Sequence, residues 1–364
     1  MDFKKIFSRI MAGLTVAAGL ASLAVSALPW IPSGQFWFLH MLGLAYPFIL
    51  AGLILFLLFW AIRKSRWTWF CLLALLVGIQ QIGFLVGFHF GKEEPYKQEG
   101  AIRVLSWNVS RWDERNKEKR GGESYRRLML DYIEASEADV LCFQEYFECT
   151  DPRYYASTIP VLQKMGYPYY HFFPSTSLFG GSFRYGLAIF SRYPIFEAKS
   201  FPAGMRVHSE GICYADIEKG GKRTRVFNAH FETPGFTGSN YDASGNLKGG
   251  SGILQKIADA YSIRAVQVRE AVSLIKASNW PVVLCADLGD VPNSYAYKTL
   301  KGGLSDAFLT KGGGLGATYR FISPTLRIDY IFTGPGLDIV NLRMDKLKYS
   351  DHYPLICDLV SEKK

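Results

Sequence analysis

Six polar groups fall where short apolar runs stop. The run 102–107 leads into Asn108, 140–144 into Glu145, 225–229 into His230 and 282–286 into Asp287; Asp329 lies within 328–332, and Ser350-Asp351-His352 precedes 355–359. A single strand ending in a polar residue means little. Six acids, amides and imidazoles at the ends of alternating apolar runs suggest one convergent site. Asn108, Glu145, Asp287 and Asp351 supply hard oxygen donors, which suit Mg²⁺ or Mn²⁺. Zinc usually takes more His or Cys. Two imidazoles in an acid-lined site can move protons, each needing a carboxylate to fix its tautomer. With no activated Ser or Cys, water is the nucleophile, and a phosphate ester is the substrate whose developing charge a divalent ion offsets.

The elements that must position these groups follow from periodicity. Strands are expected at 102–107, 140–144, 187–191, 211–217, 225–230, 282–286, 328–332 and 355–359, and helices at 124–136, 155–165 and 253–277. In the last helix Ile257, Ala260, Tyr261, Ala265, Val268, Val272 and Ile275 recur at helical spacing. The pattern is that of one α/β domain, sheets inside and helices outside, over residues 101–364. Residues 233–252, rich in Gly, Ser and Asn, read as a long loop of the kind that often lies over a site. Of six Cys, five fall in this domain (Cys142, Cys149, Cys213, Cys285 and Cys357), mostly in apolar runs and without a CxxC pair. They read as small buried hydrophobes rather than thiolates, disulfides or metal ligands. His171 and His208 have no motif around them and read as structural. Most aromatics of Tyr167–Phe173 read as core.

Several segments together resemble the endonuclease/exonuclease/phosphatase superfamily, the deoxyribonuclease I-like group that also contains sphingomyelinases and inositol phosphatases. They are Ser106–Val109, Asp139–Glu145, Gly186–Ile195, Asn228–His230, Arg327–Ile331 and Ser350–Leu355, in the family order from about residue 102 onward. The resemblance implies a four-layer α/β sandwich with a site at one edge of two packed sheets. It implies that Asn108 and Glu145 hold the metal, with Asp351 close to it. It further implies that His230 contacts the scissile phosphate, that Asp287 orients the attacking water, and that Asp329 and His352 form a carboxylate–imidazole pair. Which His gives and which takes a proton stays open. One position departs from the pattern: the family Asn two residues after Asp287 is Gly289 here. Losing one such donor costs on the order of 10²–10³ in rate. Two classes of function therefore stand: a metal-dependent phosphoric ester hydrolase, and a weakened domain that binds a phosphorylated head group or nucleic acid.

The first 91 residues are different in kind. No Asp, Glu, Lys or Arg occurs from Ile10 to Ile62, nor from Trp67 to Gly91. A bilayer core needs about 20 apolar residues in a helix, so three spans are expected near 11–28, 36–62 and 67–90, followed by a polar linker at 92–100. Gln80 and Gln81, inside the third, read as interhelical hydrogen-bonding groups. Of the 41 basic and 32 acidic residues, seven basic and one acidic fall in residues 1–92, so most of the formal +9 belongs to membrane flanks and argues little for nucleic acid. Lys4, Lys5 and Arg9 precede the first span, and Arg63, Lys64 and Arg66 separate the second and third. That places both segments in the cytoplasm and the C-terminal domain outside it, at the cell (inner) membrane with the domain periplasmic. Reading the first span as a cleaved signal peptide leaves the domain on the same side. The region reads as an anchor and nothing more. The substrate reads as a phosphate ester of nucleic acid, a phospholipid head group or an inositol phosphate, and no protein partner is predicted. The basic residues from Arg111 to Arg120 are interrupted by acids and read as a solvated loop.

Overall fold

The structure, a computed structural model, describes residues 3–34, 36–91, 96–202, 211–235, 251–321 and 323–362. His208, residues 92–95 of the linker and residues 236–250 of the Gly-rich loop lie outside them. Three long apolar stretches come first: α1 (Phe3–Ala27), α2 (Trp37–Ile62), and a broken pair, α3 (Trp67–Val77) and α4 (Ile79–Leu85). Two of these helices are long and apolar enough to cross a membrane, and a third crossing results if the bent pair is counted as one. Where a third span is expected at 67–90, the helix bends by 59° at Gly78 and ends at Leu85. Beyond it, β1 (Gly87–Phe88) pairs with a strand of the C-terminal domain. Gln81 donates to the Ser26 carbonyl at 3.0 Å, the expected interhelical bond, whereas Gln80 is exposed.

The domain continues with β2 (Ile102–Asn108), α5 (Arg126–Ser136), β3 (Val140–Cys149), α6 (Ile159–Lys164), β4 (Tyr169–Leu178), β5 (Phe183–Ser191), β6 (Ile195–Phe201), β7 (Gly211–Lys219) and β8 (Lys222–His230). Then come α7 (Ser251–Lys276), β9 (Val282–Asp287), α8 (Tyr295–Lys301), β10 (Ser305–Asp306), α9 (Ala307–Lys311), β11 (Gly313–Gly314), β12 (Asp329–Thr333), β13 (Leu337–Met344) and β14 (Leu355–Ser361). Two six-stranded sheets result, in the orders β10-β12-β9-β8-β7-β6 and β13-β14-β2-β3-β5-β4. The parallel pairs β2/β3 and β8/β9 are each joined by a crossover helix, α5 or α7, as parallel pairing requires.

Strand alternation builds the layers. Ile102 and Val104 of β2 point between the sheets, while Leu105 and Trp107 point to the outer face under α5. The inner layer takes Cys142, Cys213, Cys285 and Cys357 among its aliphatic residues, and all six Cys are free and buried. A third apolar cluster packs α7 and α8 onto the opposite face, which completes helix–sheet–sheet–helix. The expected core reading of Tyr167–Phe173 holds only in part. Tyr169 and Tyr170 are 41% and 42% exposed, because β4 is an edge strand. His171 is structural, as expected: its Nε2 lies 2.7 Å from Ser200 Oγ, joining β4 of one sheet to β6 of the other.

The apolar helices do more than precede the domain. Ser33, in the turn between α1 and α2, donates to the Tyr261 carbonyl of α7 at 2.9 Å, and His40 of α2 is buried with its ring 5.7 Å from that of Tyr261. Phe84 of α4 packs its ring 5.5 Å from Tyr297 and accepts a 2.7 Å hydrogen bond from Arg327 at its carbonyl.

Candidate active site

The sheets bring the polar strand ends to one edge. His230 and Asp287, the last residues of β8 and β9, stand level in the parallel register, and Asp329, the first of β12, stands level with Asp287 in the antiparallel one. The second sheet supplies Asn108 at the end of β2 and, across from it, Gln144 followed by Glu145 on β3. His352 comes just before β14, whose Leu355 pairs with Ser106. The two sheets are stapled beneath this edge. Gln144 Nε2 donates to Asn228 Oδ1 at 2.6 Å, and Asn228 Nδ2 donates to the Phe143 and Ala188 carbonyls. Glu145 occupies a bulge of β3 with φ 48°, which turns its carboxylate off the strand repeat toward Asn108.

A continuous polar circuit follows. Asn108 Nδ2 donates to Asp287 Oδ2 at 2.8 Å and lies 3.4 Å from Glu145 Oε1. Asp287 Oδ2 stands 3.7 Å from both His230 Nε2 and His352 Nδ1. His352 Nδ1 reaches Asp329 at 2.9 Å. Asp351 joins at the margin: Ser350 Oγ lies 2.7 Å from the Asn108 carbonyl and 3.1 Å from Asp351 Oδ1. Burial would push the Asp287 carboxyl up, but His352, His230, Asn108 and the Gly289 N–H outweigh it and hold it below the usual range. Burial and the neighbouring Asp287 charge raise Asp329. Burial opposes the imidazolium of His352, yet Asp329 and Asp287 hold its pKa well above the ordinary value. The two acids thus favour the imidazolium form of His352.

Sequence reasoning missed the groups that support this circuit. Thr318 Oγ1 accepts from the Ile328 and Asp329 N–H groups, Tyr319 sets its ring 5.0 Å from that of His352, and Trp107 Nε1 donates to the His352 carbonyl. Thr318 and Tyr319 lie in a segment with no strand or helix period, so no pattern marks them. Arg111 was read as part of a solvated loop. Instead its guanidinium lies over the Tyr185 ring at 4.9 Å and 3.7 Å from Glu145 Oε2. The loop reaches it through a left-handed stretch: Ser110, Arg111, Trp112 and Asp113 all have φ between 44° and 60°. Such a run is costly for non-Gly residues. Buried Trp112, whose Nε1 donates to the Phe147 carbonyl, and Asp113, which accepts from Arg120, Asn116 and Tyr125, hold it.

Gly289 has φ +61°, a conformation that Asn tolerates better than most residues, and its N–H donates to Asp287 Oδ1 at 3.1 Å. A Cβ there would stand 3.0 Å from Thr233 Cγ2. The acids fit a hard divalent cation: ligand atoms of Asp287, Asp329 and His352 lie within 4.8 Å of one another with no thiolate among them, while Asn108 turns Nδ2 toward Glu145 and Asp287 and its Oδ1 accepts from the Ser110 N–H at 2.9 Å.

Residues 8–85 match a domain described only as being of unknown function, and residues 105–352 match the Endonuclease/Exonuclease/phosphatase family. No curated protein matches the sequence. Among solved structures, the endonuclease/exonuclease/phosphatase from Beutenbergia cavernae is 19% identical with TM-score 0.50, over 72% of each chain. TDP2 of D. rerio complexed with single strand DNA product is 17% identical with TM-score 0.50, over 72% of this chain and all of that one. The human Nocturnin catalytic domain with bound sulfate anion is 18% identical with TM-score 0.49, over 73% and 97%. At such identities the likeness is one of fold. The family match covers 105–352 and includes every site residue from Asn108 to His352, so this chain belongs to the endonuclease/exonuclease/phosphatase family.

Proposed function

We propose that the protein is a membrane-tethered phosphoesterase, dependent on Mg²⁺ or Mn²⁺, that hydrolyses a phosphate ester outside the cytoplasm. The observation that carries it is the circuit Glu145–Asn108–Asp287–His352–Asp329, with His230 against Asp287, assembled from both sheets at one edge. Glu145, and Asn108 through its Oδ1 once that oxygen is freed from the Ser110 N–H, would hold the metal, with Asp351 close to it. The bound ion offsets charge on the phosphoryl oxygens. His230 faces the scissile phosphate. Asp287, kept ionised by its neighbours, orients the attacking water. Asp329 fixes the His352 ring through Nδ1, which leaves Nε2 for proton transfer with substrate or water. Tethering rests on the apolar helices, and the outward side rests on the Lys and Arg flanking them.

The full-length protein in detergent, with Mg²⁺ or Mn²⁺ and bis-p-nitrophenyl phosphate, tests this. Turnover abolished by EDTA and restored by the ion supports it. Equal background in wild type, Glu145→Ala and His352→Ala would favour the rival reading, a binding domain weakened at Gly289.

Gly289→Asn is expected to raise turnover by about 10- to 100-fold, since a missing donor of this kind costs on the order of 10²–10³. The left-handed backbone accepts Asn, and Thr233→Ala in the same chain removes the one tight contact. Measured kcat that stays level in both variants would show that the phosphate finds its donor elsewhere. Glu145→Gln keeps the shape but removes a charge. It is expected to raise the Mg²⁺ concentration for half-maximal activity by about 10-fold or more, as loss of a single charged contact does.

A further inference from the structure

The edge of the sandwich that carries the site is also the edge docked on the apolar helices. Asp287 ends β9, and the chain runs directly from it into Gly289, Asp290 and Val291. Val291 meets α2: a Cβ at Gly43 would lie 3.4 Å from Val291 Cγ2. Asp290 is clamped by Arg264 at 3.0 Å, one turn beyond the Tyr261 that covers His40. Asp329 begins β12, and Arg327 before it donates to the Phe84 carbonyl of α4 at 2.7 Å. Both aspartate-bearing strands are thus tied to the apolar helices at their catalytic ends. Val282 and Thr333 lie at the opposite ends of these strands.

The height of the site above a bilayer follows. Helix α2 has 26 residues, about 39 Å at 1.5 Å each, against a hydrocarbon core of about 30 Å. Its surplus of about six residues belongs at the end that touches the domain, where His40 is buried beneath Tyr261. Gly43 then marks the start of the hydrocarbon. Val291 follows Asp287 by four residue steps, a reach of at most about 14 Å. The headgroup layer on each side is about 5–8 Å thick. The reacting centre therefore stands close to the level of the lipid headgroups.

We propose that the phosphate ester taken by this site is carried by a membrane lipid, and that hydrolysis occurs at the bilayer surface. This rests on the membrane-tethered phosphoesterase reading above. Water attacks phosphorus, the P–O bond to the leaving alcohol breaks, and that alcohol takes up a proton, so no redox partner is needed. A lipid reaches a centre at this height by lateral diffusion in the bilayer.

The test uses the full-length chain reconstituted with Mg²⁺ into vesicles of equal parts phosphatidylethanolamine, phosphatidylglycerol and ceramide phosphoethanolamine. Bis-p-nitrophenyl phosphate and a single-stranded oligonucleotide serve as soluble substrates, and His352→Ala is the control. The expected result is hydrolysis of at least one vesicle lipid with a specificity constant about 100-fold or more above that for bis-p-nitrophenyl phosphate, since remote substrate contacts raise transition-state binding. Hydrolysis of the soluble ester with intact vesicle lipids would overturn the lipid assignment and leave the phosphoesterase standing. So would preference for the oligonucleotide. No hydrolysis of any of them would instead overturn the phosphoesterase reading itself.

Discussion

His352→Ala is expected to lower turnover of bis-p-nitrophenyl phosphate by about 10³-fold, within the range that a positioned acid–base group contributes. The ring is buried, hydrogen-bonded to Asp329 at 2.9 Å and fixed by the bridge of its backbone to Tyr319. No described neighbour places another imidazole against Asp329. Asp329→Asn tests the same unit without a cavity. The amide cannot hold the imidazolium that two carboxylates now favour, so kcat is expected to fall by about 10²-fold or more while KM changes little. Circular dichroism separates loss of chemistry from loss of fold. Retention of activity within a few-fold in both variants would remove the pair from the mechanism.

Arg327→Met is expected to cost about 3–5 kcal/mol, the usual consequence of stranding one member of a buried ion pair. The guanidinium is 1% exposed, pairs with Asp306 at 2.7 Å, lies over the Tyr297, Phe308 and Tyr330 rings, and donates to Phe84. Removing it leaves Asp306 buried with only Tyr297 and the α9 N–H groups for company. For a domain of this size the melting temperature should drop by about 10 °C or more. Thermal denaturation in detergent measures it, and Asp306→Asn in the same chain should recover part of the loss.

The sequence made the inner sandwich legible and left its margins dark. Strands with unbroken apolar runs, such as 140–144 and 282–287, stand out because both faces are covered. Edge strands β4, β6 and β13 mix polar residues into their sequences, so no unbroken apolar run marks them, and all three escaped the reading. The site was legible because it lies on strand ends: Asn108, Glu145, His230, Asp287, Asp329 and His352 meet, with Asp351 at their margin. Arg111 was illegible because a left-handed turn, which no periodicity encodes, delivers it. The docking of α2 and α4 was equally hidden. It depends on single residues, His40, Gly43 and Phe84, inside stretches whose composition speaks only of lipid.

The thiols packed between the two sheets give this architecture a built-in clock. Cys142, Cys213, Cys285 and Cys357 have no exposed surface, so an alkylating reagent reaches them only when the leaflets part. In native buffer, modification by iodoacetamide is expected to be slow and to accelerate with urea in step with unfolding. Mass spectrometry of the alkylated peptides then reports how often the sandwich opens, with the chain still in its bilayer and no optical signal required.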